Sequence, residues 1–327
     1  MQYRNIPGTS MSVSSLALGG WLTFGEGVED AESLSILHTA VDSGVTFLDL
    51  ADVYAEGRAE SVVGRFLREV DRDRLVVSSK VFWPTSDDPG DRGLSRRHIH
   101  ASIDRTLARL HTDHLDLYFC HREDPSVDLA ETVQAMGDLI AAGKVRAWGT
   151  SCWQPATLRE AHRLASQLGV APPRVEQPSY NLLERWIEAD LLPCCAELDM
   201  AVVVWSPLAG GALTGKYLDG VPPGSRAANS QWLDAYLRPS ARKAVSAFVG
   251  FCRERGVEPA VMALAWVMQQ PGITAAITGA SSKIQLQDNL PAVACTLEEQ
   301  DLARLDHWFR RGRRSWWRRL LGALRRR

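Results

Sequence analysis

Residues 46–54 read TFLDLADVY, and Asp49 stands where the chain should be most apolar. In an extended strand, side chains two apart share a face. Phe47, Asp49 and Ala51 therefore form one row, with Leu48 and Leu50 on the other. The pattern recurs in LVVSSK at 75–80, where Val76, Ser78 and Lys80 share a row. It recurs again in LDLYFCH at 115–121, with Leu115, Leu117, Phe119 and His121. If these are successive parallel strands closed into a barrel, Asp49, Lys80 and His121 sit at or near their C-terminal ends, where such barrels carry their chemistry. Tyr54, a few residues beyond its strand, overhangs the same mouth.

Moving outward from these runs, apolar strand-like segments recur at 16–19, 46–50, 75–80, 115–121, 145–151, 175–178, 201–206 and 275–278. A hairpin, residues 2–4 with 12–14, precedes them around the turn-forming Pro7 and Gly8. Helix-period segments lie between: 30–43 closing at Gly44, 95–110, 129–142 closing at Gly143, and 155–168 closing at Gly169. Glycine just past a helix is a common stop, and Ser95 can cap an unpaired backbone N–H. Eight strands alternating with helices predict parallel pairing through right-handed crossovers, a (β/α)8 TIM barrel. A doubly wound dinucleotide-binding sheet is the competitor, but GGWLTFGEG after the first strand lacks its GxGxxG spacing.

The 327 residues, 45% of them hydrophobic, can bury a core of this size. No apolar run reaches the roughly 18 residues needed to span a bilayer, and no leader precedes MQYRNIPGTS, so a cytoplasmic protein is expected. The six cysteines are scattered without CxxC spacing or a histidine cluster, which predicts free thiols and no metal. The net charge of −2 conceals an asymmetry, because residues 307–327 hold nine arginines and no acid. The remainder carries 28 basic residues against 39 acidic ones. Two units are therefore expected, a barrel over 1–306 and an Arg/Trp-rich tail over 307–327. If the tail is helical, Trp316, Leu320 and Leu324 share a face amid arginines. That pattern suits an anionic membrane surface or an acidic partner better than specific nucleic acid, and equally a plain solubilising extension.

The four polar residues read as an acid/base set. A phenol is a weak acid with a reference pKa of about 10, and a nearby cation eases its proton loss. Lys80 can supply that cation, Asp49 can orient it, and His121 can hydrogen-bond a substrate oxygen beside Tyr54. The set suits protonating an oxygen whose carbon receives a hydride, yet provides no electron source. On residues alone, a structural ion pair at a barrel rim is an equal reading. GGALTGKY at 210–217 begins to spell a phosphate loop, but Tyr217 occupies the place of the magnesium-binding hydroxyl. The Gly-, Pro- and Ser-containing stretch 208–239 exceeds a simple connection and predicts a lid or binding loop.

LDLADVY, SSKVFW, RGLSRRHIHASIDRTLARL, DLYFCHREDP, VRAWGTS, EQPSYN, WSPLAGGALTGKY and GASSKIQLQDN together resemble the aldo-keto reductases. The branch they resemble contains voltage-gated potassium channel β-subunits and their bacterial reductase relatives. That resemblance runs from about residue 3 to 308. It implies a (β/α)8 barrel binding NADP(H) without a Rossmann domain and acting on a small carbonyl substrate; whether the chain forms a homo-oligomer is left open. It implies Tyr54 as general acid, Lys80 and Asp49 as its support, and His121 as the substrate-orienting residue. The channel β-subunits carry asparagine there, so His121 implies turnover over pure regulation. For the cofactor it implies Gly20, Trp21 and Asp49 at the nicotinamide end, Ser151 and Gln177 on its carboxamide, and Trp205 stacked on its ring. Ser206, Pro207, Leu208, Gly210 and Lys216 match the pyrophosphate loop; Arg226, Gly279, Ser281, Gln285, Asp288 and Asn289 match the adenosine end. Cys152 replaces an arginine of the channel β-subunits, and Asp288 shortens their glutamate. The alternative function is a redox-sensing NADP(H)-binding subunit that regulates a membrane protein.

Overall fold

The computed structural model describes residues 1–228 and 231–309. The expected arginine-rich helix falls within residues 310–327 and lies outside the described residues. Strands β1 (Tyr3–Asn5) and β2 (Ser12–Ser14) pair antiparallel. Eight parallel strands follow: β3 (Leu16–Gly19), β4 (Phe47–Asp49), β5 (Val76–Val81), β6 (Leu115–Cys120), β7 (Val145–Thr150), β8 (Val175–Glu176), β9 (Ala201–Val204) and β10 (Ala275–Thr278). They close into a barrel in sequence order, β10 pairing with both β9 and β3.

The outer helices are α1 (Asp30–Asp42), α2 (Arg58–Leu67), α3 (Arg96–Leu110), α4 (Leu129–Ala141), α5 (Pro155–Leu168), α6 (Leu191–Glu197), α7 (Pro239–Arg255), α8 (Pro259–Gln269), α9 (Lys283–Asn289) and α10 (Glu299–Trp308). Ser95 caps α3, its hydroxyl accepting from the His98 amide at 3.3 Å. Gly169 ends α5 in the left-handed conformation, where glycine carries no steric penalty. No helix among the described residues is long and apolar enough to cross a membrane.

Strand alternation sorts the core into two shells. Phe47, Leu117, Phe119, Val175, Val203 and Ile277 fill the barrel interior together with Ile6, Met11 and Val13 of the hairpin. Leu18, Leu48, Val77 and Tyr118 face the helices. Leu115, expected in the inward row of its strand, joins this outer shell. The hairpin is stitched to the start of β4, because Ser14 and Thr46 exchange hydrogen bonds of 3.0 Å between amide and hydroxyl. It therefore stoppers the N-terminal end.

At the C-terminal side of the chain, α10 runs through the expected 306/307 boundary. Phe309 is buried against Phe248, and its carbonyl accepts from Arg185 Nη1 at 3.0 Å. The barrel unit thus extends at least that far.

Candidate active site

Asp49, Ser78 and Lys80 project inward from adjacent strands in register, since Asp49 pairs with Ser78 across β4 and β5. Lys80 is fully buried and Asp49 nearly so. Lys80 Nζ donates to Asp49 Oδ2 at 2.6 Å, to the Leu50 carbonyl at 2.6 Å, and to Tyr54 Oη at 3.3 Å. The other Asp49 oxygen accepts from Ser78 Oγ and from Gln177 Nε2, each at 2.8 Å. Three donors around one carboxylate, with a cation among them, offset the cost of burying charge. Ser78 and Gln177 thereby lock the pair from the far side, a role for which the sequence offered only their shared row and strand end.

Tyr54 hangs over this pair because the chain turns sharply after β4. Ala55 and Glu56 adopt left-handed backbone, with φ of 48° and 56°. Such conformations strain non-glycine residues and tend to cluster at functional sites. The His121 ring meets Tyr54 edge-on at 6.0 Å, and Trp83 meets His121 similarly at 6.2 Å. The four predicted residues are therefore together at one mouth. Trp83 stands beside the site, Trp153 is packed behind it, and Trp21 is exposed.

Burial pushes the Tyr54 phenol above its usual range; the Lys80 charge opposes this and Asp49 reinforces it. Lys80 lowers it as expected, but desolvation outweighs the cation. Lys80 stays charged: burial works against it, but Asp49 and Tyr54 together carry its pKa above the ordinary value. Burial drives His121 well below the usual range, with Arg122 and Lys80 adding repulsion, so its imidazole is neutral at pH 7. Its Nδ1 is buried with no hydrogen-bond partner among the described residues.

The predicted cofactor residues form a band around the same end of the barrel. Ser151 follows β7 and donates to the Gln177 carbonyl at 2.8 Å. Cys152, left-handed with φ 59°, lies 3.8 Å from that carbonyl, and burial keeps it a thiol. After β9, Trp205 and Ser206 lead through Pro207 and Leu208 into a tight turn, Ser206, Ala209, Gly210 and Gly211 all having positive φ. A Cβ on Gly211 would lie 2.8 Å from Lys216 Nζ, so a glycine there lets the ammonium approach. The stretch at 208–239 coils into three short 3₁₀ turns and folds back toward Trp21. Arg226 stacks on the Trp21 ring at 5.6 Å and Trp232 meets it at 5.7 Å. Gly20 is buried beneath.

On the adjoining strand, Gly279 is exposed after β10, Ser281 donates its amide to Gln285 Oε1 at 2.7 Å, and Asn289 is buried at the end of α9. Asp288 is exposed on that helix. Among the described residues, neither Lys216 nor Arg226 pairs with a carboxylate. Two cations without a carboxylate partner and a glycine-opened turn suit a phosphate-bearing ligand.

A parallel eight-stranded barrel with charged and phenolic side chains gathered at its C-terminal mouth belongs to the class of TIM-barrel proteins whose loops carry the chemistry. Residues 15–309 match the aldo/keto reductase family. The chain belongs to that family, which supports an oxidoreductase. It is 40% identical over 305 residues to a probable voltage-gated potassium channel subunit beta of Arabidopsis thaliana, covering 90% of this chain and 91% of the relative. A protein of the same name from Oryza sativa subsp. japonica is 38% identical over 90% and 91%. A putative voltage-gated potassium channel subunit beta of Schizosaccharomyces pombe is 36% identical over 89% and 88%.

Proposed function

We propose that this protein reduces aldehydes or ketones to alcohols, with NADPH as hydride donor and Tyr54 as general acid. The observation that carries the reading is the Tyr54 hydroxyl, 3.3 Å from a buried ammonium that Asp49 holds at 2.6 Å, beside a neutral imidazole. NADPH, when bound, supplies a hydride to the carbonyl carbon. His121 donates a hydrogen bond to the carbonyl oxygen and holds it beside Tyr54 Oη. As negative charge grows on that oxygen, the phenol O–H breaks and its proton passes across, leaving an alcohol and a phenolate paired with Lys80. The raised pKa keeps the phenol protonated until then.

Ser151 and Gln177 would hold the carboxamide, with Gly20, Trp21 and Trp205 at the nicotinamide. Ser206, Pro207, Leu208, Gly210 and Lys216 embrace the pyrophosphate. Arg226, Gly279, Ser281, Gln285, Asp288 and Asn289 receive the adenosine 2′-phosphate end, which favours NADPH over NADH.

Tyr54→Phe tests the assignment. NADPH oxidation at saturating carbonyl should fall by about 10²–10⁴-fold, the usual worth of a general acid. NADPH affinity, read by quenching of protein fluorescence, should stay within a few-fold. Rates like those of the wild type in this variant would remove Tyr54 from the role.

A second reading follows from the names of the relatives: a cytoplasmic NADP(H)-binding subunit that regulates a membrane protein, with the basic tail as its docking element. Steady turnover over a panel of carbonyls, with no difference in membrane cosedimentation on removing residues 310–327, excludes it.

A further inference from the structure

Arg122 follows His121 at the end of β6, and no role was assigned to it from the sequence. Its guanidinium lies on the rim of the acid site. Nη1 donates to the His121 carbonyl and approaches Ser151 Oγ at 3.3 Å. The guanidinium carbon stands 5.8 Å over the Trp83 ring, the same ring that meets His121 at 6.2 Å. Its charge reaches the site, favouring the phenolate of Tyr54, the thiolate of Cys152 and the neutral form of His121.

No carboxylate among the described residues pairs with Arg122. Twelve other arginines do have such partners, from Arg65 to Arg304. The acids beside it in sequence are engaged elsewhere: Glu123 accepts from the Gln154 amide at 2.5 Å, and Asp124 from the Leu94 amide at 2.8 Å. On the loop over the mouth, Asp88 is bound to Arg97 and Asp91 to Arg105. Lys80 is matched by Asp49. The acid end of the mouth therefore carries an uncompensated positive charge whose Nε and Nη2 make no hydrogen bond with a described residue. A guanidinium presents its donors as a planar fork, which fits a carboxylate through two parallel hydrogen bonds.

We propose that Arg122 is a specificity-determining residue that selects carbonyl substrates bearing a carboxylate, the anion lying on the guanidinium while the carbonyl oxygen meets Tyr54 and His121. The proposal rests on the reductase reading above and adds a substrate class to it.

The test compares 4-formylbenzoate with its methyl ester, two aldehydes alike in reactivity and differing in charge, using the full chain and NADPH at low salt. In the wild type, kcat/KM for the acid should exceed that for the ester by about tenfold or more, and added salt should shrink the ratio. In R122Q the ratio should fall to about one or below, with the change lying in KM, and R122K should recover part of it.

A ratio near one in the wild type, with the ester turned over, overturns this proposal and leaves the reductase reading intact. R122Q lowering both substrates equally also overturns it, and assigns Arg122 to holding Ser151. If neither aldehyde is reduced, the reductase reading fails and takes this proposal with it. Equal melting temperatures for the variants ensure that the ratio is read on folded protein.

Discussion

At the N-terminal end of the barrel, Ile6, Met11 and Val13 join Phe47, Leu117 and Val203 in one apolar cluster. At the other end, neighbouring strands carry Asp49, Lys80 and His121 at or just past their C-terminal ends. The backbone differs in the same sense. Six of the eight non-glycine residues with positive φ (Leu22, Ala55, Glu56, Cys152, Ser206 and Ala209) follow strand ends at the mouth, whereas the stopper has none among its side chains. The stopper packs apolar side chains inside the barrel, whereas the mouth gathers the buried Asp49–Lys80 pair and most of the strained turns. Strain persists only where surrounding structure over-determines it, and the apolar end with its outer shell of helices is what does so here.

The sharpest way to break this contrast is Lys80→Met, which leaves the buried Asp49 without its cationic partner. Removing one member of a buried pair costs about 3–5 kcal/mol, to be read as a loss in chemical denaturation, and turnover should fall at least about 100-fold. Ile6→Ala strikes the opposite end. A buried isoleucine cut to alanine costs about 2–5 kcal/mol, yet kcat/KM measured well below the melting temperature should hold within a few-fold. Equal damage to both quantities would show that the two ends are not independent.

Glu176 refines the comparison from behind the mouth. Burial raises its carboxyl to about 8, with Thr150 Oγ1 at 2.5 Å and the Trp153 amide at 3.2 Å opposing the shift. Its folded pKa exceeds the unfolded one, so the native state holds the extra proton and stability falls as pH rises from about 4.5 to about 8. The loss is at most about 1.4 kcal/mol per unit in that window. Glu176→Gln cannot titrate. Its melting temperature should therefore gain on the wild type steadily from pH 5 to pH 8, and a constant difference would contradict the assignment.

Much of this was legible in the chain because alternation is a strong signal. All eight barrel strands and four of the helices were found, with ends within two residues, and the four polar strand-end residues do meet. Helix α8 was silent because eight consecutive residues, Val261 to Met268, are buried, leaving no polar face to set a period. Helix α2 was obscured by Gly64, which is there for contact: a Cβ would come within 2.2 Å of the Arg109 carbonyl on α3. In the site, Ser78 and Gln177 act through partners distant in sequence, and no local pattern reveals that. Arg122 had one available signal, a cation placed directly after the predicted substrate-orienting residue. The effect of Lys80 on Tyr54 was legible, but the opposing and larger effect of burial was not, because charge is visible in a sequence and burial depth is not.

The stack of Arg226 and Trp232 on Trp21 joins two loops more than 200 positions apart in the chain. Among the described residues, Trp21 is the most exposed tryptophan, at 37%. Lifting the 208–239 segment takes both an indole and a cation away from that ring, so the emission of Trp21 changes whenever the segment opens. Any movement of that segment relative to Trp21 is therefore readable by stopped-flow fluorescence without an added label.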